Sequence, residues 1–198
     1  MKTKFNLTMT LIVAFILSII SCSNENEGIR DFQVRSVDNC TESSIEELKM
    51  AFCLLDSTGI AKTQFKEGEN IVFSLALTNT SEDTIVIEQN IVDEDFFRVT
   101  EKSQQQDMGT PQTGAWCEFS NAPREIAIGP GDTFELTCPW ILTESLKPVY
   151  PLCKGQSNDV LPKGEYDVEH NLNFSFKVSQ KEISTNNDFK PKITFNIN

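Results

Sequence analysis

The chain has 198 residues, 29 acidic against 17 basic side chains, a formal net charge of −12 and a single histidine. A chain this acidic repels phosphate backbones, which Lys and Arg must neutralise, so nucleic acid is excluded as a partner, as is adhesion to an anionic membrane face through basic patches. The length allows one core of ordinary size beside a short leader and tether.

Lys2 and Lys4 precede an apolar stretch over residues 9–20, and Ser23-Asn24-Glu25-Asn26-Glu27-Gly28 follows it. A charged start, a short hydrophobic segment and a small residue before a processing point are the parts of a secretory signal peptide. A bilayer span needs about 20 apolar residues, and this stretch, interrupted by Thr10 and Ser18, is shorter. The quartet Ile19-Ile20-Ser21-Cys22 resembles a bacterial lipobox. That resemblance implies cleavage between Ser21 and Cys22, loss of residues 1–21, and attachment of diacylglycerol and acyl groups to Cys22. More than one chain is needed for stable anchoring. The implied location is the cell envelope, as an outer membrane lipoprotein either facing the periplasm or exposed at the surface. The acidic run after Cys22 loosely resembles the export tag of surface lipoproteins of the Bacteroides group. An uncleaved anchor and ordinary secretion are the alternatives. Loss of Lys2 and Lys4 with the leader moves the formal charge from −12 to −14.

Residues 22–46 read as the acylated cysteine followed by a flexible acidic tether, since few large apolar side chains and no sustained period appear there. Beyond Cys22 the chain carries Cys40, Cys53, Cys117, Cys138 and Cys153. Outside the cytoplasm these oxidise, and five cysteines allow at most two bridges in any of 15 patterns. Cys138 and Cys153 flank a proline-rich loop and form the favoured pair. Cys53, in an apolar run, is expected to be a buried free thiol. There is no Cys-x-x-Cys, and His170 has no ligand neighbour at useful spacing, so no metal site and no cofactor are expected.

From residue 47 the pattern alternates with period two. Met50, Phe52 and Leu54 share one face of the first strand, and Asp56-Ser57-Thr58-Gly59 supplies turn chemistry after it. Residues 69–79 place Ile71, Phe73, Leu75 and Leu77 on one side and Val72, Ser74, Ala76 and Thr78 on the other. A hairpin connection over residues 79–83 leads to a strand over 84–88, and 96–100 is a short strand. Residues 103–114 read as polar loop. Further strands are expected over 115–119, 124–128 and 133–140, the last two joined by the turn Ile128-Gly129-Pro130-Gly131-Asp132. Residues 142–163 read as a long irregular connection, and strands over 165–178 and 190–197 close the set. Eight or nine short strands without a long helix predict an all-β, antiparallel β-sandwich over residues 47–198.

Three phrases sharpen that expectation. Phe65-Lys66-Glu67-Gly68-Glu69-Asn70-Ile71-Val72-Phe73 resembles the second-strand signature of BsuPI-type proteinase-inhibitor domains. Ile128-Gly129-Pro130-Gly131-Asp132-Thr133, running into Trp140, is similar to that family's later Pro-Gly turn and tryptophan. Leu161-Pro162-Lys163-Gly164-Glu165-Tyr166 resembles its Pro-x-Gly-x-Tyr strand opening. The resemblance spans roughly residues 47–178 and implies an immunoglobulin-like sandwich. The assembly of lipobox, acidic tether and sandwich resembles lipoproteins of the Bacteroides group whose function is unknown. A fold of this kind hosts many activities.

Candidate chemistry is sparse. His170 sits in an alternating strand and reads as solvent-facing or on an edge strand, and no Gly-x-Ser-x-Gly elbow accompanies it. Asp93-Glu94-Asp95 could offer oxygens to calcium but lacks the spacing of an EF-hand loop. Trp116 and Trp140 could form a sugar-stacking platform, although the parity of Trp140 with Phe134 and Leu136 favours the core. Asn79-Thr80-Ser81 matches a glycosylation sequon. No catalytic residues are expected. The predicted role is a non-enzymatic, lipid-anchored binding or interaction module with a protein or glycan partner, and the alternative is a protease inhibitor of the BsuPI type.

Overall fold

The structure, a computed structural model, describes residues 35–37, 39–88, 91–93, 95–111, 125–149, 152–170, 172–185 and 190–198. The lipobox with Ser21 and Cys22, Cys117, Trp116 with the strand expected over 115–119, and Glu94 lie outside the described residues. Those described all belong to the compact unit Phe32–Asn198. Among them no helix is long and apolar enough to cross a membrane.

The unit is an all-β sandwich. In chain order the strands are β1 (Arg35–Val37), β2 (Cys40–Ile45), β3 (Leu48–Leu55), β4 (Gln64–Phe65), β5 (Val72–Asn79), β6 (Ile85–Glu88) and β7 (Arg98–Glu101). They continue with β8 (Gln106–Gly109), β9 (Glu125–Ile128), β10 (Thr133–Pro139), β11 (Gly164–Glu169), β12 (Ser175–Val178), β13 (Lys181–Ser184) and β14 (Lys192–Ile197). Three sheets result, with orders β1-β2-β3-β5-β10, β4-β14-β11-β7-β8 and β13-β12-β6-β9. Among the described strands every pairing is antiparallel except that of β4 with β14.

Period-two burial explains the strands that the sequence announces. In β3, Leu48, Met50, Phe52 and Leu54 are buried while Lys49 is exposed and Ala51, Cys53 and Leu55 are half-buried. In β5, Phe73, Leu75 and Leu77 fill the core from the same sheet. The turn after β3 forms as its residue types require: the Asp56 carboxylate accepts from the Thr58 and Ile60 amides, and Gly59 takes φ +85°. Those hydrogen bonds, led by the one from the Thr58 hydroxyl, lower the Asp56 pKa.

Several expectations need correction. The sandwich begins before residue 47, because β2 pairs with β3 from Cys40↔Cys53 to Ile45↔Leu48. Its inward residues are Thr41, Ser43 and Ile45, two of them small and polar, so no apolar alternation marks it. Residues 79–83 are a corner between sheets and not a hairpin, since β5 pairs with β3 and β10 whereas β6 pairs with β9 and β12. The turn at 128–132 makes the same passage in reverse, so two paired strands bend together from one sheet into the next. Asn79, fully buried, holds this corner: its amide donates to the Asp83 and Ile128 carbonyls and accepts from Ser81. The Gly131 amide donates to the Asn79 carbonyl with φ +75° at the glycine. The stretch 103–114 contains β8, held by pairing to β7 across a register shift. The strand expected over 165–178 divides into β11 and β12, which lie in different sheets.

The core runs between the sheets and is strongly aromatic. Phe97 stacks on Phe52 at 5.3 Å, lies 5.5 Å from Phe73 and touches Phe96 at 3.9 Å between ring centroids. Phe97 adopts φ +60°, a conformation costly for a bulky side chain and held here by the rings packed around it. Tyr166 stacks on Phe195, and its hydroxyl donates to the Pro162 carbonyl four residues upstream. That is the arrangement of a tyrosine corner, a device of immunoglobulin-like sandwiches.

Candidate functional site

The most elaborated surface is the connection between β10 and β11, residues 140–163. The sequence reads residues 142–163 as irregular, and the structure shows the described parts, 140–149 and 152–163, pinned by hydrogen bonds and buried side chains. Its first residue, Trp140, is buried at 3% exposure against Phe73, and its indole N–H donates to the Asp159 carbonyl at 2.8 Å. The side chain of Asn70 pairs with both backbone groups of Ile141, donating at 2.6 Å and accepting at 2.9 Å. The Leu142 amide donates to the Ser157 hydroxyl at 2.9 Å, and the Asn158 side chain donates to the Thr110 carbonyl at 3.1 Å. The Val149 amide donates to Thr137 of β10, so the loop closes the outer edge of that strand. Leu152 and Leu161 anchor it in the core.

Lys154 is the central fastener. Its ammonium donates to the carbonyls of Pro139 and Trp140 and lies 5.8 Å from the centre of the Trp140 ring. Burial pushes its pKa down to about 8 and outweighs the opposing effect of the neighbouring Cys138. Cys138 is buried and free, its thiol directed to the Pro111 carbonyl at 3.3 Å, and burial pushes its pKa up to about 12. Above this fixed base Val149 and Val160 stand out at 47% and 49% exposure. This long loop therefore presents two apolar side chains to solvent from hydrogen-bonded backbone.

Cysteine pairing differs from both expectations. Cys40 and Cys53 are bonded across β2 and β3. Cys138 is free, so the pair Cys138–Cys153 does not form, and Cys53 is no free thiol. Cys153 is disulfide-bonded, with its partner outside the described residues. The reason is parity: Cys138 follows Leu136 into the core, while Cys53 lies on the outward side of β3, opposite Cys40.

His170 is also misjudged by the sequence reading. It is fully buried, its ring 4.3 Å from Phe96 and 5.4 Å from Phe97, and neither ring nitrogen has a hydrogen-bond partner among the described residues. Desolvation pushes its pKa down to about 3. Dry and packed between two phenylalanine rings, it is a neutral core residue. The signal was present, because Tyr166, Val168 and His170 share one parity and the first two are plainly apolar.

The remaining candidates are accounted for by packing. Trp140 is buried and offers no face to a sugar. Asp95 is engaged by Arg98, which also binds Asp107, and among the described residues no group of three or more His, Cys, Asp or Glu side chains is arranged to hold a metal. The Asn79 sequon is unusable because its amide is buried and fully hydrogen-bonded. Among the described residues, open clefts of about 470 Å³ lie between β2 and β14 and, with an acidic lining, where the β2–β3 turn, the 79–83 corner and the β12–β13 turn meet. Comparison with family models, with curated proteins and with solved structures finds no match to this chain.

Proposed function

We propose that this protein is a lipid-anchored lipoprotein of the outer membrane whose sandwich serves as a non-enzymatic binding module, engaging a protein or glycan partner through the 140–163 connection. The anchor rests on the lipobox-like quartet ending at Cys22. The binding role rests on one observation: a long loop held rigid from beneath by Asn70, Lys154, Asn158 and Trp140 carries exposed Val149 and Val160. A preorganised loop loses little conformational freedom on association, which is where affinity is otherwise spent. The same rigidity favours the second reading, a protease inhibitor of the BsuPI type, whose loop must enter an active site without yielding.

Both readings are tested with the full-length chain as bait in envelope extract, beside a variant carrying Val149→Asp and Val160→Asp. A partner retained by the parent and lost by the variant supports the loop, and a protease as that partner selects the inhibitor reading. A partner held equally by both chains refutes the assignment of the loop. Cys22→Ser tests the anchor: the variant should lose its acyl groups and leave the membrane fraction, and persistent lipidation would refute it.

A further inference from the structure

We propose that the Cys40–Cys53 bond is a thiol–disulfide exchange site, reduced by a dithiol while the sandwich stays folded. The two cysteines stand directly opposite each other on β2 and β3, with Cα atoms 4.4 Å apart. Both strands send their alternate residues inward, Thr41 and Ser43 from one and Phe52 and Leu54 from the other, so both cysteines lie half-exposed on the outward side. The bond therefore crosses the outer face of the sheet and contributes nothing to the core. The ribbon it ties is held independently by the register running to Ile45↔Leu48 and by the buried side chains of β3. A thiolate can reach a sulfur here without opening the core.

A second observation concerns the surroundings. Cys40 lines the open cleft of about 470 Å³ between β2 and β14, and Lys190 and Lys192 line it too. Lys192 is held by Asp167 at 2.7 Å and Glu169 at 3.2 Å, while Lys190 is exposed and makes no ion pair among the described residues. Glu42, on the same outward face as Cys40, is occupied by Lys49 at 3.0 Å. An ammonium near a disulfide, paired with no carboxylate among the described residues, stabilises both the attacking and the departing thiolate. In an acidic chain this cleft is a local exception.

The chemistry balances with the dithiol as the named reductant. Its thiolate attacks Cys40 Sγ, the S–S bond breaks, and the electron pair leaves on Cys53, which takes up a proton. The second thiolate of the reductant then attacks the mixed disulfide and releases Cys40, which is protonated in turn. The protein disulfide gains two electrons and two protons, and the dithiol becomes its own disulfide.

The test uses the full-length chain in detergent, equilibrated with graded ratios of reduced to oxidised dithiothreitol, alkylated, and mapped by mass spectrometry. Cys40 and Cys53 should label while buried Cys138 stays unlabelled and the near-ultraviolet circular dichroism is unchanged. Lys190→Glu should slow reduction about tenfold at low ionic strength, with the effect shrinking as salt is added. The double variant Cys40→Ser, Cys53→Ser should retain the native spectrum. Labelling of Cys138 in step with the pair, resistance of the pair until the spectrum collapses, or a double variant without native structure would each overturn the proposal. An unchanged rate in Lys190→Glu would overturn attack through the cleft.

Discussion

One imidazole contributes a separable part of this protein's response to acid. His170 has an ordinary pKa of 6.5 in the unfolded chain and about 3 in the folded one, where desolvation among Phe96, Phe97 and the surrounding core disfavours the charged ring. Between those values the unfolded chain binds one proton more than the folded chain. Stability therefore rises with pH through this window and is lost as pH falls below 6.5. The slope is about 1.4 kcal/mol per pH unit, so a drop from pH 7.5 to pH 5 removes about 2 kcal/mol. Against a total stability of roughly 5–15 kcal/mol that is a readily measured loss. Carboxylates also titrate on acidification, so the informative quantity is the difference between the parent and His170→Leu. The variant lacks the slope, and at pH 7.5 it should be as stable as the parent or more so, because it removes two unpartnered ring nitrogens whose burial costs about 1–3 kcal/mol. Urea unfolding followed by tryptophan fluorescence at pH 7.5, 6 and 5 gives the comparison, and the gap in free energy should widen by about 2 kcal/mol toward pH 5. Parallel pH dependences would refute the reasoning, as would a native NMR titration of this single histidine with a midpoint near its ordinary value.

Other sites test the remaining structural claims. Asn79→Ala leaves the Asp83 and Ile128 carbonyls without their donor at a buried corner and should cost about 3 kcal/mol, read as a lowered urea midpoint at unchanged m-value. Tyr166→Phe removes the hydrogen bond to Pro162 and should lower stability by about 1 kcal/mol, or Tm by roughly 2–4 °C, in a thermal scan. For Lys154, the folded pKa of about 8 lies below the ordinary 10.5, so the folded protein holds fewer protons between them and gains stability as pH rises through that interval. Lys154→Met should lack this rise when unfolding is compared at pH 7.5 and pH 10.

The sandwich was legible where burial is one-sided and apolar. β3, β5, β10 and β14 carry large side chains at alternate positions, and each strand's existence follows from its own residues. β2 reads as tether in the sequence because its buried face is Thr41, Ser43 and Ile45, a pattern that acquires meaning only beside β3. β4 is two residues long and depends on β14, remote in the chain, whereas β8 and β13 are short return arms of hairpins with β7 and β12 and carry little apolar alternation of their own. The 140–163 connection was recognised as long, but its order comes from donors and acceptors such as Asn70 and Thr110, which lie outside it.

Charge, cysteine number, turn chemistry and the period of each strong strand are properties of neighbouring residues, and the sequence alone determines them. Which strands share a sheet, which cysteines meet and whether a lone histidine is dry depend on register between segments far apart in the chain. Cys40 and Cys53 are bonded because β2 pairs with β3 in one register, and a slip of one residue would send both to the other face. His170 is neutral because Phe96 and Phe97 close over it from the β6–β7 connection. Such relations are set by the sum of packing across the core, so only the tertiary structure decides them.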